Sequence, residues 1–392
     1  MTALVEQLKS GLDAPICLTW ELTYACNLEC VHCLSSSGRR DPRELTTAEA
    51  KRVVDELHEL QVFYVNIGGG EPTIRRDFFD IVEYAIGRGV GVKFSTNGAF
   101  IDAAKAARLA ATDYLDVQIS LDGTDALTND AVRGAGSYAT ARRAMDHLAG
   151  AGFVERNGPF KISVVVTRHN VDQLDTFKAL ANGYGAQLRV TRLRPSGRGA
   201  DTWHDLHPTN AQQRQIFEWL LAHGDPQAER PVLTGDSFFH LNALAAPGSG
   251  EQLPGLNLCG AGRVVCLIDP VGDVYACPFV IHDEFLAGNV RDPGGFAKVW
   301  RESALFHDLR QPQSAGACAS CGQFDACQGG CMAAKFFTGL PLDGPDPECV
   351  GGDGQLALAG VANGSVPRPA ADHSHLQRST GPTAQPVTFT RR

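Results

Sequence analysis

The sequence predicts an α/β protein: a parallel sheet covered by helices, then a smaller cysteine-rich domain and a disordered tail. Three observations carry this reading. Strand-like and helix-like segments alternate from about residue 15 to about 195. Of the 12 cysteines, all but Cys17 fall in two clusters with a long cysteine-free middle. From about Gly360 the chain is rich in Pro, Ser, Thr and Gly, without apolar periodicity.

The elements follow in order. Ile16–Leu22 reads as a short strand leading into a cysteine loop. Thr46-x-x-Glu49 is a capping box for a helix whose Val53, Val54, Leu57 and Leu60 share one face. Val62–Ile67 is a β-branched strand ending in glycines, and Asp77 is placed to cap a helix through Ile86. Val90–Ser95, Tyr114–Leu121, Phe160–Thr167 and Gln187–Leu193 are further strands; helices are expected over Ile101–Ala111, Tyr138–Ala149 and about Leu174–Ala181. Near-continuous apolar strands separated by helices imply a sheet buried on both faces. Six βα units are too few for an eight-stranded barrel, which leaves a partial barrel or a doubly wound sheet. Thr209–His223 reads as one amphipathic helix, and the cysteine-rich region after it has few long apolar runs, so it needs staples. The expected organisation is an N-terminal extension (1–14), a core domain (15–224), an auxiliary domain (225–358) and the tail (359–392).

The chain has 392 residues, 35 Lys+Arg against 44 Asp+Glu, a net charge of −9, and 43% apolar residues. That length supports a sizeable core. The acidic balance, with no basic block, argues against nucleic acid or an anionic membrane as main partner. No apolar run approaches the roughly 18 residues of a membrane helix, and Glu6 and Asp13 in the first 15 residues suit no secretory signal. A cytoplasmic protein is expected, and its cysteines then need a role other than disulfides.

The first cluster is Cys26, Cys30 and Cys33, on a loop after a strand end. Three thiolates at this spacing can hold three irons of a cubane and leave the fourth open to chelate a substrate. The alternative is a zinc site completed by His32, although that residue is wedged beside Cys33. The loop resembles that of the radical S-adenosylmethionine (SAM) superfamily, in which the open iron binds the amino and carboxylate groups of SAM. The resemblance implies a partial (β/α)6 barrel. It places His32 near the adenine and Gly69, Gly70 and Glu71 of Gly69-Gly70-Glu71-Pro72 at the methionine amino group. It places Ser95 and Asn97, and Ser120 and Asp122, at the ribose and carboxylate; Arg133 is a candidate partner for the carboxylate. Turn and capping chemistry would account for any one of these residues equally well.

The second cluster reads Cys259-x12-Gly272-x4-Cys277, then Cys318-x2-Cys321-x5-Cys327-x3-Cys331, then Cys349, with Cys266 inside the first element. Eight cysteines suit two four-thiolate sites; a pair of zinc ribbons is the alternative. The spacing resembles the SPASM domain, the auxiliary-cluster extension of radical SAM enzymes that modify peptides and proteins. That resemblance implies Cys259, Cys266, Cys277 and Cys331 for auxiliary cluster I, and Cys318, Cys321, Cys327 and Cys349 for cluster II. With the barrel site it implies three [4Fe–4S] clusters. Cys17 matches nothing and is expected to pack as a small core residue.

Across the whole chain the sequence is similar to the mycofactocin radical SAM maturases. That similarity implies a short precursor peptide ending in Val-Tyr, whose C-terminal tyrosine is oxidatively decarboxylated and then joined by a C–C bond to the preceding valine. It also implies an external one-electron reductant. Only about 15 residues precede the first strand, so a separate small protein is expected to recognise the precursor. Sulfatase maturases of this class carry an aspartate after the third auxiliary cysteine, where this chain has Pro278. Thioether-forming and epimerising peptide maturases are further alternatives, and a zinc-ribbon interaction protein is the non-enzymatic one.

Overall fold

The computed structural model describes residues 11–234, 259–311, 316–321, 324 and 329–349. The side chain of Cys17, all of Cys327 and the expected disordered tail lie outside the described residues.

Six parallel strands pair in sequence order: β1 (Cys17–Glu21), β2 (Tyr64–Gly68), β3 (Gly91–Thr96), β4 (Leu115–Ser120), β5 (Lys161–Val166) and β6 (Gln187–Arg192). A two-residue strand, β7 (Leu233–Thr234), extends the β6 edge. On the other edge β8 (Val265–Ile268) pairs in parallel with β1, followed by antiparallel β9 (Asp273–Tyr275) and β10 (Leu286–Asn289). The ten-strand sheet runs from β10 to β7 without the two ends meeting, which makes it an open, partial barrel. Its cysteine-rich part continues the sheet of the core.

Register separates two chemistries. Leu18, Val65, Val92 and Leu115 are successive cross-strand partners, and all are buried in the main apolar core. One residue along, Thr19, Asn66, Lys93 and Asp116 are partners too, so the opposite face of the sheet is polar. The apolar face is covered by helices α1 (Thr47–Glu59), α2 (Phe78–Gly87), α3 (Ala103–Ala110), α4 (Ala126–Arg133), α5 (Ser137–Gly150), α6 (Phe153–Asn157) and α7 (Leu174–Gly183). Helix α1 buries Val53, Val54 and Leu57, as its sequence pattern requires, and burial of each such side chain stabilises by about 1.5–3 kcal/mol. Its Thr46–Glu49 capping box is formed. Asp77 precedes α2 without capping it, because Arg75 and Thr47 occupy its carboxylate.

After β6 come α8 (Arg198–Leu206) and α9 (Asn210–His223). Beyond β10 lie α10 (Gly295–Glu302), α11 (Ala304–Arg310) and α12 (Met332–Phe337). Phe296, Trp300, Phe306 and Met332 join the same core as the barrel strands.

Candidate radical SAM site

The chemistry gathers at the C-terminal ends of the strands, where an α/β sheet presents its loops. The loop after β1 carries Cys26, Cys30 and Cys33. Their charges reach one another: burial pushes the Cys26 thiol up to about 12, and Cys30, Glu71 and Cys33 add to the shift. Burial also raises Cys30, while Arg133 opposes. Three half-buried, mutually repelling thiolates form a site that a cationic cluster would stabilise. Among the described residues no three His, Cys, Asp or Glu side chains converge on a single-ion site. A cubane would put a separate iron at each thiolate, which suits a loop carrying three cysteines.

The glycines after β2 hold the loop in place. Gly70 donates its N–H to the Thr23 carbonyl at 2.7 Å, and Glu71 to that of Ala25 at 2.8 Å. A Cβ on Gly70 would lie 2.0 Å from the Ala25 carbonyl oxygen, so only glycine permits this approach. The Glu71 carboxylate, 0% exposed, is turned inward. It accepts from Thr96 Oγ1 at 2.8 Å, from Thr73 Oγ1 at 2.5 Å and from the Asn97 N–H at 2.8 Å. Its role is to lock the ends of β2 and β3 together. Asn97 then reaches the cysteine loop, with Nδ2 donating to Asn27 Oδ1 at 3.0 Å and lying 3.9 Å from Cys26 Sγ.

Asp122 follows β4 and is fully buried. Its Oδ2 lies 2.6 Å from His32 Nε2 and 2.7 Å from Arg133 Nε, and its Oδ1 accepts from the Val165 N–H at 2.8 Å. Burial opposes its ionisation, but Arg133 first and His32 second hold the carboxyl well below the usual carboxylate range. The three residues that the sequence brings separately toward SAM therefore form one ion-paired unit, with Arg133 also in charge range of Cys30. Ser95 and Ser120 lie on the polar face: Ser95 Oγ accepts from Gln118 at 3.1 Å, and Ser120 is paired with Ser163.

Helix α8, absent from the sequence reading, supplies a further clamp. Arg198 donates through Nε to the Cys30 carbonyl and through Nη1 to that of Ser37, both at 2.9 Å. Thr202 Oγ1 donates to the Val31 carbonyl at 2.9 Å. Gly197, at φ +52°, passes so near that a Cβ would meet the Cys33 carbonyl oxygen at 2.4 Å. No periodicity announces α8, because only Trp203 and Leu206 bury large apolar side chains; the Gly197-Arg-Gly199 turn was the available signal. Glu44 was missed as well: it binds the Thr23 hydroxyl and the Tyr24 N–H, both at 2.9 Å.

In the cysteine-rich part the structure brings Cys259, Cys277 and Cys331 into charge range of one another and sets Arg194 near the last two. Cys266 belongs to the main core, against which Cys259, Cys277 and Cys331 pack. It pairs in register with Leu18 on the helix-covered face and is 0% exposed. Cys318 and Cys321 share a turn, and Cys349 follows Asp346. Asp346 Oδ2 accepts from the Cys331 N–H at 2.7 Å, tying the Cys331 and Cys349 loops together.

Comparison with known proteins defines the class. Residues 20–180 match the radical SAM superfamily, and 259–322 match SPASM, an iron-sulfur cluster-binding domain. The fold and its thiol sites are those of a radical SAM enzyme with a SPASM extension, which works with [4Fe–4S] clusters and SAM. The mycofactocin maturase MftC of Mycolicibacterium smegmatis is 68% identical over 97% of this chain and 93% of its own length. That of Mycobacterium ulcerans is 67% identical over 96% of this chain and 98% of its own. The chain belongs to the mycofactocin maturase family. Streptococcus suis SuiB, solved with S-adenosylmethionine bound, shares the fold at a TM-score of 0.68 and 18% identity, over 88% of this chain and 80% of that one. No helix among the described residues is long and apolar enough to cross a membrane.

Proposed function

We propose that this enzyme acts on a short ribosomal precursor peptide ending in Val-Tyr. It first oxidatively decarboxylates the C-terminal tyrosine, and then forms a C–C bond between the modified tyrosine and the preceding valine, using a second SAM. The observation that carries the reading is the 68% identity, end to end, to a mycofactocin maturase.

Bound at the Cys26, Cys30 and Cys33 loop, SAM and a reduced [4Fe–4S] cluster supply a 5′-deoxyadenosyl radical able to take hydrogen from an unactivated carbon. In the first reaction the tyrosine β-carbon gives up one hydrogen atom, and one electron and carbon dioxide follow to leave a double bond. The protein's own residues orient and shield. Glu71 fixes the strand ends, Arg198 and Thr202 fix the loop carbonyls, and the Asp122–Arg133–His32 unit sets a buried charge beside Cys30. The SPASM cysteines would hold clusters able to accept the departing electron.

The proposal includes three clusters, hence about twelve irons per chain. It includes an external one-electron reductant and a separate small protein that grips both precursor and enzyme. Incubation of reconstituted enzyme with SAM, reductant and full-length precursor, with and without the partner, tests it by mass. A peptide lighter by carbon dioxide and two hydrogens, formed efficiently only with the partner, is expected. An unchanged precursor, or equal turnover without the partner, counts against the corresponding part.

A further inference from the structure

Beneath the rim that carries the SAM-site loop, the polar face of the sheet holds an arginine that no described residue engages. Side chains alternate along β5 and β6. Ile162, Val164 and Val166 of β5 and Leu188 and Val190 of β6 enter the core under the helices, so Ser163, Val165, Arg189 and Thr191 project to the opposite, polar face. Register sets their neighbours. Ser163 is partnered by Ser120 on one side and Arg189 on the other, and Val165 by Thr191. Asp122 Oδ1 accepts from the Val165 N–H at 2.8 Å, which sets the Asp122–Arg133–His32 unit in the Val165 row. Arg189 precedes Thr191 by two residues on β6, which puts it about 6.5 Å deeper in the barrel.

Arg189 is half-buried, and among the described residues its guanidinium has no ion pair and no side-chain hydrogen bond. The neighbouring cations are neutralised: Lys161 Nζ lies 2.9 Å from Asp116 Oδ1, and Arg133 Nε 2.7 Å from Asp122 Oδ2. A guanidinium is always charged, and its planar fork matches a carboxylate. A half-buried charge without a counter-charge invites an anion from outside the fold. The wall above it is apolar. Val165 packs on Leu193, Trp203 and Leu206, the same cluster that receives Val31, which lies between Cys30 and His32. An apolar wall with a cation at its foot suits a peptide end whose last residues are apolar and aromatic and whose terminus is a free carboxylate.

We propose that Arg189 is a specificity residue that binds the C-terminal carboxylate of the peptide and so holds the terminal tyrosine in the barrel below SAM. The inference deepens the reading of a Val-Tyr precursor and rests on it. It makes a free terminus a requirement, because amidation of the tyrosine removes the partner of the guanidinium. SAM carries a carboxylate too, and the arms of the test separate the two sources.

Binding of SAM-loaded, unreduced enzyme with its partner protein to two precursors, one ending in the free carboxylate and one in the carboxamide, is followed by fluorescence anisotropy. The wild type should prefer the carboxylate by about tenfold or more, the worth of a hydrogen bond between charged groups. Arg189→Gln should bind both peptides as weakly as the wild type binds the amide, and Arg189→Lys should keep part of the preference. SAM affinity of Arg189→Gln, by calorimetry, should match that of the wild type. A wild-type enzyme that converts the precursor yet shows no preference overturns the inference, whether or not the variants fold. So does a preference that survives in Arg189→Gln. Weakened SAM binding in that variant with the peptide preference intact also overturns it, and assigns the guanidinium to the SAM carboxylate. A wild-type enzyme that leaves the Val-Tyr precursor unaltered under reducing conditions defeats the Val-Tyr reading itself, and the inference with it.

Discussion

The Asp122 carboxylate, held by Arg133 and His32, shows how one buried charge is made tolerable and what it then controls. Arg133 and His32, with the Val165 N–H, stabilise the charge of a group that burial alone would keep protonated. Because its pKa is lowered on folding, its contribution is fully present above the ordinary carboxylate range and is lost only as the pH falls toward its depressed value. Asp122→Ala would strand Arg133, a loss of about 3–5 kcal/mol for a broken buried pair. We expect a markedly lower denaturation midpoint at neutral pH and weaker SAM binding by calorimetry; unchanged values would show that the pair is incidental. Glu21 and Asp269 work in the opposite direction. Burial raises Glu21 to about 8, helped by Asp269, and raises Asp269 to about 7, helped by Asp273. The folded protein therefore holds protons that the unfolded chain has released, so stability should fall as pH rises from about 5 to about 8. Glu21→Gln/Asp269→Asn should flatten that slope in urea titrations; an unaltered slope would remove these groups from the explanation. The cysteines and glycines of the site were legible in the sequence because their spacing is local. The Asp122–His32 contact joins residues 90 apart in the chain, and no pattern reports that.

At the scale of elements, a strand end and a helix start hold the cysteine loop from opposite sides. The strand end allows no side chain at Gly70, where a Cβ would lie 2.0 Å from a backbone oxygen that cannot yield cheaply. Gly70→Ala should therefore lose the SAM-site cluster, about four irons, while the auxiliary clusters stay; full iron content in the variant would contradict the close approach. The helix start offers two guanidinium bonds to loop carbonyls, each worth about 1.5–3 kcal/mol as a hydrogen bond to a charged group. Arg198→Ala should make the SAM-site cluster more labile to chelator and slow reductive SAM cleavage by tenfold or more, since about 1.4 kcal/mol is tenfold. Equal rates would assign Arg198 a surface role. Helices with a full apolar stripe, such as α1, were readable in advance, whereas α8 binds the loop through polar side chains and so leaves no periodic trace.

The molecule as a whole joins its two cysteine regions through one sheet. β8 lies against β1, the strand that leads into the SAM-site loop, and Tyr24 Oη donates to Asp269 Oδ2 at 2.5 Å across the junction. The alternation of strands and helices foretold a parallel sheet, and the family resemblance its partial-barrel form, but neither foretold that the auxiliary region would extend its β1 edge. Cysteine spacing likewise gave the number of thiols without showing that Cys266 would sit on β8, in register with Leu18 of β1. On the proposed reading, this arrangement separates initiation from electron removal. Cys321→Ala should retain most SAM cleavage while peptide product falls steeply; parallel loss of both in a folded variant would refute the division of labour.

The central claim, that the Cys26, Cys30 and Cys33 loop generates the radical for a peptide oxidation, is tested most directly by one paired measurement. Under anaerobic, reducing conditions with SAM and the Val-Tyr precursor, 5′-deoxyadenosine and peptide mass are followed together for the wild-type enzyme and for Cys26→Ala/Cys30→Ala/Cys33→Ala. The account predicts 5′-deoxyadenosine and a decarboxylated peptide from the wild type, and neither from the triple variant, whose auxiliary iron remains. Persistent 5′-deoxyadenosine from the purified variant, or wild-type SAM cleavage that leaves the peptide unaltered, would contradict it.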